Sequence, residues 1–125
     1  MLSAVLAVLP TVVVVAVVHS ERDPSVFRNR AALPSCGNAT VGSSGSAPPA
    51  AAACFDAALG AELRVVAYTI EGDPIVSYYR TLPGGGAEVL TDHTHDAFGT
   101  GGWSRQSCPA AASLEALGEC ESAKL

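Results

Sequence analysis

Every residue from Leu2 to Val18 is apolar except Ser3 and Thr11, with Pro10 near the middle; beyond it the chain changes to short alternating stretches punctuated by glycine and proline. A run of 17 residues lies between the hydrophobic region of an export signal and the shortest membrane helix. The pattern therefore predicts a signal peptide or membrane anchor over residues 1–20, and Val18-His19-Ser20 suits cleavage after Ser20. Positive charge begins only at Arg22, Arg28 and Arg30, whereas such segments usually carry it in front, so basic residues are expected upstream of Met1.

Residues 21–49 read as a flexible tether. Glu21 to Leu33 is charged and poor in large apolar side chains, and Gly37 to Pro49 is almost entirely small or polar, too little apolar surface to offset the entropy of ordering. Ser46, Pro48 and Pro49 suit the start of a helix over Ala50 to Leu59, closed by Gly60, with Ala51, Phe55, Ala58 and Leu59 on one face. Strand alternation follows in Glu62 to Ile70, Ile75 to Leu82 and Ala87 to Thr91, separated by the turns Glu71-Gly72-Asp73-Pro74 and Pro83-Gly84-Gly85-Gly86. Pro109 opens a last short helix over Ala110 to Leu117. The fold expected over residues 50–125 is a small two-layer α+β domain: a helix packed on a three-stranded antiparallel meander, with a short C-terminal helix.

Charge and cysteine content narrow the function. The formal net charge is −5, and no basic cluster is present, which argues against a nucleic-acid partner. Cys36, Cys54, Cys108 and Cys120 form an even set that, in an exported chain, predicts two disulfides. Of three pairings, Cys36 with Cys54 and Cys108 with Cys120 is preferred because each closes a short loop. No pair has the close spacing of structural zinc sites. Leu33-Pro34-Ser35-Cys36 superficially resembles a lipidation motif, but Pro34, Arg28 and Arg30 fit it poorly.

The densest chemistry is Asp92-His93-Thr94-His95-Asp96. In an extended chain His93 and His95 would share a face, yet a transition metal needs a third protein ligand. Asp92 and Asp96, with Glu71 or Asp73, lack the full pattern of a calcium loop. Turn building is the preferred role for Asp96, with Phe98 anchoring the loop and Gly99 letting it reverse. Trp103 is expected as a buried anchor or an interaction centre. No serine occupies a nucleophile elbow, and Gly84-Gly85-Gly86 lacks the residues of a phosphate loop, so no enzyme, metal or cofactor is assigned.

The segment Tyr68-Thr69-Ile70-Glu71-Gly72-Asp73-Pro74-Ile75, followed by Asp92, Asp96-Ala97-Phe98-Gly99 and Cys108, resembles an uncharacterised domain of exported bacterial proteins and lipoproteins, domain of unknown function 4362. The resemblance spans Cys54 to Cys108. It implies an extracytoplasmic bacterial domain and brings no catalytic residues with it.

The expected function is an extracytoplasmic binding or interaction module, secreted or membrane-tethered, with Glu71, Asp73, Asp92, Asp96 and Trp103 as interaction candidates. Its partner would be an unidentified envelope or extracellular component, and a retained leader would associate with the membrane through residues 2–18. A structural cell-envelope protein is the alternative, and a metal-binding domain a weaker one.

Overall fold

A computed structural model of the chain describes residues 23–42 and 45–125. The signal or anchor expected over residues 1–20 lies outside the described residues. Membrane association through residues 2–18 is not borne out: no helix among the described residues is long and apolar enough to cross a membrane.

The elements are α1 (Ser25–Arg28), β1 (Ser35–Thr40), α2 (Pro49–Ala57), β2 (Glu62–Tyr68), β3 (Pro74–Thr81), β4 (Ala87–Asp92), β5 (Trp103–Cys108) and β6 (Glu121–Lys124). They build one six-stranded sheet in sequence order. The β1–β2 pair is parallel, bridged by α2 as a crossover, and every later pair is antiparallel. This corrects the three-stranded meander. The expected strands form its centre as β2, β3 and β4, and three more flank them.

Register divides the side chains between two faces. The first face holds Leu63 and Val65 of β2, Tyr79 of β3, Ala87 and Val89 of β4 and Cys108 of β5. Phe55 of α2 joins Ala39, Leu63, Val65, Ala87 and Cys108 there in the principal core. Leu59 does not share the helical face expected of it: α2 ends at Ala57, and Leu59 is exposed beyond it.

Residues 109–120 also cover this face, but not as a helix. Cys108 and Cys120 are disulfide-bonded with Cα atoms 4.3 Å apart. A helix over residues 110–117 would need each N–H to bond the carbonyl four residues before it, and the N–H groups of this segment bond elsewhere. The segment instead folds as a compact loop in which Leu114 N–H donates to Asp56 Oδ1 at 2.8 Å and Ala112 N–H to the Ala116 carbonyl at 3.0 Å. Ala111, Leu114 and Leu117 still reach the core.

The opposite face is closed by residues that precede β1. Phe27 of α1 lies between Tyr78 and Trp103, with ring centroids 4.6 and 4.5 Å away. Arg30 stacks over Phe27 at 3.9 Å and holds Glu62 with two hydrogen bonds, of 2.9 and 3.1 Å. Glu62 also accepts from Arg80 Nη1 at 2.8 Å, and Arg80 Nη2 donates to the Ala31 carbonyl. Further along this face Glu88 pairs with Arg105 at 2.7 Å and lies 3.7 Å from Arg80 Nε. Residues 24–31 thus form a strap, pinned at one end by an aromatic ring and at the other by a guanidinium fork. Beneath this face Leu90 is wholly buried and Arg80 is 2% exposed.

Both disulfides adopt the preferred neighbour pairing, Cys36–Cys54 tying β1 to α2 and Cys108–Cys120 closing the covering loop. With its thiol in that bridge, Cys36 is no lipid acceptor. The chain forms a small, disulfide-stabilised domain suited to an oxidising compartment.

Candidate functional site

Two connections meet at one end of the sheet: the β2–β3 hairpin and the loop joining β4 to β5. In the hairpin Thr69 N–H donates to the Asp73 carbonyl and Gly72 N–H to the Thr69 carbonyl, each at 2.9 Å. Gly72 has φ +89°, a conformation that strains residues with a Cβ. The turn therefore needs the glycine of the Glu71–Pro74 sequence, and it leaves Glu71 exposed.

The longer loop is organised by carboxylates. Asp92 Oδ1 accepts from the backbone and hydroxyl of Thr94, at 2.8 and 2.6 Å. Asp96 Oδ1 accepts from the Phe98 and Gly99 amides, both at 3.1 Å. A Cβ on Gly99 would lie 2.5 Å from Asp96 Oδ2, so glycine is what lets the carboxylate fold back over its own turn. Across the gap Asp73 Oδ2 accepts from the Ala97 amide at 2.9 Å. This last bond fastens the loop to the hairpin.

The five interaction candidates separate accordingly. Asp73 and Asp96 are brought to the same end, and one oxygen of each accepts from backbone amides. Asp92 shapes the start of the loop, and Glu71 stands free on the turn. Trp103 is buried at 4% exposure under Phe27, with its Nε1 lacking a hydrogen-bond partner among the described residues. It supports the strap, and it also borders an open bay at the β5–β6 edge.

The residues that do project are apolar. Ile70 is fully exposed, Phe98 is 78% exposed and Tyr68 is 60% exposed. Phe98 is therefore not the loop anchor expected of it, because Asp96 and Asp73 hold the loop through its backbone. Ile70 belonged in sequence to a strand; its register fails because β2 ends at Tyr68. A large apolar residue immediately beside each turn was the available signal.

His93 and His95 do not converge on a metal. His93 is half-buried with Nε2 3.4 Å from Ser104 Oγ, and His95 is exposed. No group of three or more His, Cys, Asp or Glu side chains able to hold a metal occurs among the described residues. Of the titratable groups, Tyr79 is displaced from its ordinary value: burial against the core raises its pKa by disfavouring the phenolate.

The fold and site define a disulfide-stapled, mixed-sheet domain with an apolar tip on two carboxylate-braced turns. Comparison with known protein families, with curated proteins and with solved structures returns no match.

Proposed function

We propose that this domain is an extracytoplasmic interaction module whose contact surface is the tip formed by Ile70 and Phe98. One observation carries the reading: two large apolar side chains are held out in solvent on turns that Asp73 locks together. Exposed apolar groups on a braced scaffold suit recognition, since ordering has already been met by folding and contact then removes apolar surface from water. The two disulfides favour an oxidising compartment. Recognition rests on contact, and no covalent step is assigned.

Burial of Trp103 favours a second reading, a structural envelope domain without a specific ligand. Partner recovery from intact envelope separates the two. Wild-type protein should retain a partner that an Ile70→Ser, Phe98→Ser variant loses while keeping its thermal transition. Equal recovery by the folded variant would remove the tip from the mechanism.

A further inference from the structure

The inner side of the loop that carries Phe98 borders a second feature, an open bay of about 390 Å³ at the β5–β6 edge. Its lining includes His93, Asp96, Ser104, Ser122 and Lys124, with Gly99 and Gly101 forming part of the wall. We infer that this bay binds a neutral saccharide ring through its vicinal hydroxyls. The proposal goes beyond the apolar tip and does not depend on it.

The argument begins with register. Ser77 pairs with Thr91, Thr91 with Ser104, and Ser104 with Lys124, so one polar row crosses four strands on the core-bearing face. Ser122 lies on the same face, opposite Gln106. Part of this row is satisfied internally, since the Ser77 and Thr91 hydroxyls lie 3.2 Å apart. At the outer end Ser104 Oγ has His93 Nε2 as its neighbour, at a long 3.4 Å. Ser104 is half-buried and Ser122 and Lys124 are exposed, so the outer groups of the row stand open to a ligand in the bay.

The identity of those groups selects the ligand. Lys124 can only donate, an ionised Asp96 can only accept, and two hydroxyls and an imidazole can do either. Ion pairs among the described residues run between Arg30, Arg80 or Arg105 and Glu62 or Glu88, leaving Lys124 and Asp96 outside them. A bare anion would meet Asp96 and a bare cation Lys124, so neither charge suits the bay as a whole. A vicinal diol both donates and accepts at each oxygen and satisfies the mixed set. The Asp96 carboxylate is already oriented by its turn: Oδ1 is engaged by two amides. Gly101, with nothing near the position of a Cβ, lets a ring approach the loop backbone.

The test is a titration of isotope-labelled full chain with methyl β-D-glucopyranoside and with N-acetyl-D-glucosamine, following backbone amide shifts. At least one probe should give saturable shifts at Ser104, Ser122 and the Gly99–Gly101 loop. A Ser104→Val, Ser122→Val variant should weaken that binding about tenfold or more, as expected for losing hydrogen-bonding groups. The Ile70→Ser, Phe98→Ser variant should bind the probe as wild type does, so failure of the tip and failure of the bay are read separately. Absence of saturable shifts with both probes overturns the proposal. So does undiminished binding by the folded valine variant, or a response of the same amides to acetate or glycine in place of the sugars.

Discussion

Replacing Phe27 with alanine tests whether the strap before β1 is part of the folded domain. The ring stacks against both Tyr78 and Trp103 and carries Arg30 above it. Each aromatic pair contributes about 0.5–1.5 kcal/mol beyond burial, and burial of a half-exposed phenylalanine adds about 1–2 kcal/mol. Alanine recovers about 0.5 kcal/mol through better helix propensity. The net loss should be about 2–3 kcal/mol, lowering a urea midpoint by about 2–3 M if the slope is near 1 kcal/mol/M. Trp103 is the sole tryptophan and lies directly under the ring, so its fluorescence reports the strap while circular dichroism reports the sheet. Phe27→Leu should lose roughly half as much, retaining apolar contact without stacking. A change below about 0.5 kcal/mol in Phe27→Ala, with unaltered Trp103 emission, would refute the strap's role, because that is the range of an inconsequential surface substitution.

Other perturbations address the remaining contacts. Glu62→Gln should destabilise by about 3 kcal/mol in denaturant titration, since it takes the closer of two anionic partners from the nearly buried Arg80 and breaks the pair with Arg30. Removing either disulfide by paired Cys→Ala substitution should cost about 3 kcal/mol, from sequence separations of 18 and 12 in a chain-entropy estimate, read as a lower unfolding midpoint. Asp73→Ala should raise hydrogen exchange at the Ala97 amide about fivefold for loss of a hydrogen bond of about 1 kcal/mol, leaving exchange in β3 and β4 unchanged. Tyr79 is neutral below its titration range and its folded pKa is raised, so its contribution to stability is intact below about pH 10 and is lost as pH climbs through the folded value. The stability difference between wild type and Tyr79→Phe should accordingly shift against wild type only above about pH 10, by denaturant titration across that range.

The central strands were readable because β2, β3 and β4 are rich in β-branched and aromatic residues with glycine-bearing turns between them. The outer strands lack that signal. Ser35–Thr40 contains glycine and asparagine, and Glu121–Lys124 has no large apolar residue. Their order comes from partners far away in sequence: β2 and the Cys36–Cys54 bridge for the first, β5 and the Cys108–Cys120 bridge for the second. The strap was hidden for the same reason. Its charged composition suggested a tether, yet Arg30 and Phe27 find complementary groups on β2, β3 and β5 that adjacent sequence cannot supply. At the tip, the carboxylates were legible as turn builders, while exposure of Ile70 and Phe98 depended on where pairing stopped.

Those two kinds of order place the two proposed surfaces. A core built from few large side chains, with Phe55, Leu63, Leu90 and Cys108 the largest wholly buried, leaves little apolar area to stabilise long loops directly. The loop after β4 is held instead by hydrogen bonds to Asp73 and Asp96, which constrain its backbone and leave its side chains uncommitted. One side can then hold Phe98 in solvent while the other lines the bay beside Ser104. Had Phe98 been the anchor, the loop would have spent its one large apolar side chain on its own stability. Because carboxylates do that instead, both surfaces remain available, and the Asp73→Ala variant should weaken any recognition through Phe98 more than it disturbs the sheet.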